Sequence, residues 1–299
     1  MCMIQTLRYK IHEVTPYINW LYFFHAWGFP ARFSFIAQIH GCDSCRASWL
    51  ASFPVADRAK AAEAMQLHKE AVKMLNELDL VFQTGVRFGL FECNADGDDI
   101  ILYEQTSSTT LSFLRQQREP FLCLSDFIRP KNADGLRDRI GVFAACADED
   151  IEHSYADDDY RHLLCQTLAD RLAEAAIERA HEAIRKFYWG YAPREQLSVA
   201  ALHAEHFQGI RPAVGYPSLP DQSLNFSLDR LINFEAIGIR LTENGAMHPH
   251  ASVSGLMIAH PDARYFSVGS IGEDQLRDYA HRRGRTPEEM RPYLVANLV

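Results

Sequence analysis

Between Asp157 and Tyr188 apolar residues return at helical spacing: Leu164, Leu168, Leu172, Ala175, Ala176, Ala180, Ala183, Ile184 and Phe187 share one broad face. That pattern specifies a long amphipathic helix, and an apolar face of this length has to be covered by another layer of structure. Glu182 and Lys186 supply an i,i+4 pair on it. Asp157, Asp158 and Asp159 fall at its start, where the helix dipole favours negative charge, so they read as helix-end electrostatics rather than a metal box.

The rest of the chain supplies partners for that helix. Ala62, Met65, Ala71, Val72, Leu75 and Leu78 predict a second amphipathic helix over Ala59 to Leu80. VRFGLFE and IILY, separated by the polar Asn94 to Asp99, predict two strands and a turn. Helix is expected over Thr109 to Gln117, strand over Phe121 to Asp126, and a buried strand over Ile140 to Ala147. Gly209 to Pro220, with three Pro and two Gly, must be loop. A short helix over Phe226 to Ile237, strands over Ser252 to Ala259 and Tyr265 to Ile271, and a helix over Glu273 to Arg283 follow. Thr286 and Pro287 open a last helix. With no repeat, no low-complexity linker and no βαβ alternation, the expected fold is α+β: a single mixed domain over residues 1–299, with a twisted, mainly antiparallel sheet and flanking helices.

Composition narrows the function classes. With 47% hydrophobic and 23% charged residues in 299, the chain can build a core without disulfides or metal. A net charge of -9 argues against general nucleic-acid binding. Apolar stretches are broken well before the ~20 residues of a membrane-spanning helix, and the N-terminus does not read as a secretory signal, so the cytoplasm is the expected location. Seven scattered cysteines (Cys2, Cys42, Cys45, Cys93, Cys123, Cys146, Cys165) then read mainly as reduced, buried thiols. His40-Gly41-Cys42-Asp43-Ser44-Cys45 stands apart. A Cys-x-x-Cys can chelate zinc or cycle as a dithiol, but no second such motif supplies the remaining ligands, and the alternative is a loop with two thiols.

No dinucleotide fingerprint, phosphate loop or Gly-x-Ser-x-Gly is present in the sequence. Gln208 to Pro217, QGIRPAVGYP, is the unusual segment: Pro fixes φ, Gly permits close approach, and Arg211 offers a planar donor fork suited to a carboxylate. It fits a rigid loop against a small ligand, or a crossing loop with a surface charge. Glu174, within the long helix's apolar face, and Glu205, before the loop, would suit a cationic ligand if they reach a cleft, and are otherwise solvated. Tyr188-Trp189-Gly190-Tyr191 reads as aromatic walls for a ligand or as a helix-end plug.

At these residues the sequence resembles the activation domain at the C-terminal end of cobalamin-dependent methionine synthase. The matching segments are YINWLYFF, DGDDIILY, LRQQ, ADRLAEA, RKFYWGYAP, QGIRPAVGYP, ASVSG with HPDARYF, and QLRDYAHRRG. They run over nearly the whole chain and are weakest between Phe29 and Leu80. The resemblance implies an S-adenosylmethionine site at Arg211, Ala213, Gly215, Tyr216, Glu174, Glu205, Tyr265 and Phe266. Arg211 would hold the methionine carboxylate, the two glutamates would place negative potential near the sulfonium or its waters, and Tyr265 would fix the ligand. Where the family has Asp in its Tyr-Ile-Asp-Trp motif, this chain has Asn19, an amide that can accept a hydrogen bond but brings no charge. The implied chemistry is reductive methylation of cobalamin carried by a partner methionine synthase core, with a flavodoxin-type electron donor, for which His281-Arg282-Arg283-Gly284-Arg285 is a candidate docking patch or else a solvated helix end. Service to another corrinoid methyltransferase, and a non-catalytic module that senses S-adenosylmethionine or docks cobalamin proteins, are the alternatives.

Overall fold

The computed structural model describes residues 3–132 and 134–298; Cys2 lies outside them. β1 (Met3–Lys10) leads into short helices α1 (Ile11–Val14) and α2 (Trp20–Ala26), then α3 (Asp43–Ala51) and the long α4 (Arg58–Leu78). β2 (Gln83–Asp96), β3 (Asp99–Tyr103), β4 (Ser108–Ser112) and β5 (Asp138–Ala147) follow, then α5 (Asp159–Ala183), α6 (Val199–His203) and α7 (Leu224–Ile232). The two-residue strands β6 (Arg240–Leu241) and β7 (Met247–His248), then β8 (Ser252–Met257), α8 (Glu273–Arg282) and α9 (Pro287–Leu294) complete the order.

β2 is the axis of the sheet. One edge pairs with β5, and the other with β1 along its first half and β3 along its second, all antiparallel. The order β4-β3-β2-β5-β8 results, with β1 beside β2. Side-chain alternation divides the core into two layers. Val86, Phe88, Phe143 and Ala145 face α5, α4 and α2, whereas Phe91, Cys93, Val142 and Ala144 face α7. A mixed helix and antiparallel-sheet architecture is therefore present, as the sequence predicts.

α5 has the predicted apolar face, with Leu164, Leu168, Leu172, Ile177 and Ala180 buried. Burial of each large aliphatic side chain contributes roughly 1.5–3 kcal/mol. The Asp158 side chain accepts from the Arg161 N–H as N-cap, and Lys186 meets Glu182 at 3.2 Å. The helix then widens into a π turn, Ile184–Tyr188.

Three sequence expectations fail, each for a nonlocal reason. Thr109 to Gln117 is not helical: Ser108–Ser112 pairs with β3, and the edge strand suits its β-branched threonines. Phe121 to Asp126 is not a strand, because Asp126 accepts the Cys123 N–H at 2.8 Å and pairs with Arg115, closing a 3₁₀ turn at Leu124–Phe127. Tyr265 to Ile271 stays irregular, since Val268 N–H bonds Pro217 O and Gly269 takes φ +75.

Candidate functional site

The Pro-rich loop is shaped by the outer edge of β8. Ile210 exchanges backbone hydrogen bonds with Ile258, Leu256 N–H donates to Pro212 O, and Val214 N–H donates to Ser254 O. Two glycines permit this approach: a Cβ on Gly209 would lie 2.2 Å from Ile258 O, and one on Gly255 2.2 Å from Pro212 O. Gly209 also needs its φ of +87. The loop is thus a pinned extension of the sheet, with Arg211 projecting toward α5.

Between loop, α5, α6 and the start of α2 lies a cleft of about 590 Å³. Asn19, Glu174, Glu205, Arg211, Ala213, Tyr216, Tyr265 and Phe266 all line it. Gly215 does not; at φ +87 its N–H bonds Leu219 O at 2.8 Å, and it serves the turn that presents Tyr216. Asn19 caps α2, its Oδ1 accepting the Leu21 N–H at 3.2 Å. The segment leading into α2 is anchored to α5 through Tyr17, whose hydroxyl donates to Glu182 at 2.8 Å, and through Glu13, which pairs with Arg179 at 3.0 Å.

Arg211 does not stand ready for a ligand alone. Its Nη2 donates to Glu178 Oε2 at 2.8 Å and its Nη1 to Ile177 O at 3.2 Å, while its backbone N–H donates to the Tyr265 hydroxyl at 2.9 Å. Burial opposes the guanidinium charge, but the fields of Glu178, Tyr265 and Glu174 hold its pKa above the ordinary value. The other Glu178 oxygen, Oε1, is buried without a hydrogen-bond partner among the described residues. The Tyr216 hydroxyl donates to Glu174 Oε1 at 3.3 Å, and the Glu174 charge, with burial, raises the tyrosine pKa. Glu205 sits at φ +58, and burial raises its carboxyl against the opposing field of Arg211.

Among the arginines and carboxylates of the cleft, sequence reasoning missed two, Arg171 and Glu178. Both lie on α5 at i−3 and i+4 from Glu174, the spacing that places side chains on one helix face. The Arg171 guanidinium makes no hydrogen bond or ion pair among the described residues. Three carboxyl groups and two guanidinium groups therefore converge on one cavity.

The model of the activation domain of vitamin B12 dependent methionine synthase matches residues 10–284. This chain belongs to that family. A crystal structure of the MetH reactivation domain bound to AdoHcy is similar over 99% of this chain and 90% of that one, with a TM-score of 0.84 and 35% sequence identity. As an activation domain the chain has its helix-end aromatics as a plug: Tyr188 packs on Phe88 at 5.2 Å, Trp189 on Tyr191 at 5.1 Å, and none lines the cleft. The basic stretch at the end of α8 is largely bound internally. Arg282 pairs with Asp99 at 2.6 Å and Asp278 at 2.8 Å, and Arg283 donates to Ser223 at 3.0 Å. Among the described residues, no helix is long and apolar enough to cross a membrane.

Proposed function

We propose that this activation domain binds S-adenosylmethionine in the cleft and supports reductive methylation of cob(II)alamin on a cobalamin-dependent methionine synthase core carried by a separate polypeptide. The observation that carries this reading is the convergence of Arg211, Arg171, Glu174, Glu178 and Glu205 on one cavity within the range of small-molecule sites, roughly 300–1,000 Å³. The residues fit a zwitterionic sulfonium. Arg211, fixed by Glu178, and Arg171, without a protein partner, are placed for the carboxylate. Glu178 Oε1 is an acceptor for the ammonium group. Glu174 and Glu205 contribute negative potential for the sulfonium, and Asn19 an amide at the cleft wall. Ala213 and Gly215 keep the loop slim, Tyr265 braces Arg211, and Tyr216 with Phe266 supplies apolar surface.

When bound, S-adenosylmethionine supplies an electrophilic methyl group to cob(I)alamin, which arises by one-electron reduction of cob(II)alamin. No residue of this chain then needs to act as a general base. Its own groups bind the ligand, hold the methyl group toward the partner's cobalt and shield the reaction from water. The electron donor in this proposal is of flavodoxin type. With Arg282 and Arg283 engaged internally, the stretch at the end of α8 offers less charge to such a donor than the sequence implies.

The test is reconstitution of this chain with a methionine synthase core lacking its own activation domain, a reductant and S-adenosylmethionine. Methylcobalamin formation that requires this chain is expected. Binding of S-adenosylmethionine without methylcobalamin formation would contradict the reactivation role and leave a sensing or docking module.

A further inference from the structure

The described cysteines fall into two kinds. Cys93, Cys123, Cys146 and Cys165 are buried, the first three in the core layer that α7 covers and the last on the buried face of α5. Cys42 and Cys45 are only partly buried, and they lie with His40 at the entrance to α3, in a loop that lines no part of the ligand cleft. Their placement comes from local backbone chemistry. Cys42 is the N-cap of α3, and its Sγ accepts the Cys45 N–H at 3.4 Å. This turn brings both sulfurs to one side, and Ile39, closing the preceding 3₁₀ segment through its N–H to Ile36 O, sets His40 across from them.

One donor atom from each of His40, Cys42 and Cys45 lies within 4.8 Å of the other two. Among the described residues, this is the one cluster of His, Cys, Asp and Glu with that geometry. A tetrahedral ion with bonds of ~2.0–2.3 Å separates its ligand atoms by ~3.5–3.8 Å, so closing the cluster takes a movement of about 1 Å. Two thiolates and an imidazole select a borderline-soft ion over Mg²⁺ or Ca²⁺. The N–H to sulfur bond supports negative charge on Cys42, as outer-shell donors do around metal ligands.

We propose that His40, Cys42 and Cys45 form a site for a zinc-class divalent ion, with the fourth tetrahedral position held by water. Sequence spacing alone argues against this because it supplies only two sulfurs; the fold adds the imidazole. Binding displaces the thiol protons of Cys42 and Cys45 to solvent, with no change of redox state. The ion would tie the loop to α3, which reaches the core through Trp49, packed 4.8 Å from Phe53. The site is separate from the S-adenosylmethionine cleft.

Full-length protein stripped with a chelator under reducing conditions and titrated with Co²⁺ provides the test. The expected result is one equivalent bound, with thiolate-to-cobalt charge transfer in the near ultraviolet, tetrahedral d–d bands in the visible, and displacement by Zn²⁺. Cys42→Ser, Cys45→Ser and His40→Ala should each weaken Co²⁺ binding by more than roughly 100-fold, beyond the loss from removing a supporting contact, while far-ultraviolet circular dichroism stays that of the parent. Absence of the bands, their persistence in Cys42→Ser, or formation of a Cys42–Cys45 disulfide in air without metal uptake would overturn the proposal.

Discussion

Two arginine–glutamate pairs flank the last turns of the long helix, and they differ in what each leaves unsatisfied. Arg185, fully buried, grips Glu195 with a fork, Nε at 2.9 Å and Nη2 at 2.7 Å, and its guanidinium lies 4.3 Å over the ring of Phe207, leaving only the donor Nη1 without a hydrogen-bond partner among the described residues. Arg211 meets Glu178 through one bond of 2.8 Å at the wall of an open cleft, leaving Glu178 Oε1 without a partner. The same residue types thus serve two ends. A bidentate pair sealed in the core fixes the segment after α5, while a single contact beside a cavity keeps donors and acceptors for a ligand. Phe207 touches both regions, since it packs under Arg185 and lines the cleft.

The comparison breaks most directly on stability. Glu195→Gln leaves Arg185 charged in the core and should cost about 3–5 kcal/mol, whereas Glu178→Gln, at the cleft, should cost about 1–3 kcal/mol. Urea unfolding of the two variants checks the order, and equal or reversed losses would remove the distinction.

A pH series is the next largest effect. His181 is buried between the two pairs, 5.0 Å from Phe207, with neither ring nitrogen bonded among the described residues. Burial, then the fields of Arg185 and Arg211, pushes its pKa well below the ordinary value. Burial and Arg46 likewise hold His68 down to about 4. Below an unfolded-state pKa of about 6.5 the unfolded chain binds more protons, so stability falls as pH drops from there toward 4, by at most ~1.4 kcal/mol per unit for each histidine. Unfolding free energies measured across that range should show the fall, with a shallower slope in His181→Phe.

The loop offers a contrast between two glycines of the same φ. Gly209→Ala places a methyl against Ile258 O as well as straining φ, and detachment from β8 should reduce ligand affinity roughly 10–100-fold, corresponding to about 1–3 kcal/mol of strain. Gly215→Ala meets open space and should carry only the φ cost of about 1 kcal/mol. Calorimetric titration of both variants separates pinning from turn geometry.

The smallest change concerns Asn19. Asn19→Asp keeps an N-cap acceptor for Leu21 and adds a charge at the cleft wall, so thermal stability should hold while S-adenosylmethionine binds roughly 2–5-fold tighter. Unchanged affinity would place Asn19 outside the ligand's field.

What was legible in the sequence follows the same division between local and nonlocal forces. α5 was readable because its apolar residues recur within one element, and the loop because Gly209, Pro212, Gly215 and Pro217 restrict backbone wherever they stand. β4 was misread because strand pairing with β3 outweighs the local pattern around Leu111 and Phe113. Arg171 and Glu178 were within reach of the helical spacing from Glu174, yet nothing local says which helix face meets Arg211. His40 stands in the sequence beside Cys42 and Cys45, but its approach to their sulfurs depends on the turn that folds it back.

The central claim is that the cleft binds S-adenosylmethionine through its paired charges, and isothermal titration tests it most directly. The account predicts saturable binding at one site, abolished in Arg211→Ala and weakened roughly 10–100-fold in Arg171→Ala, where a charge-assisted bond worth about 1.5–3 kcal/mol is lost without leaving a buried carboxylate unpaired. No heat of binding to the folded chain, or the same affinity in both variants, would contradict it.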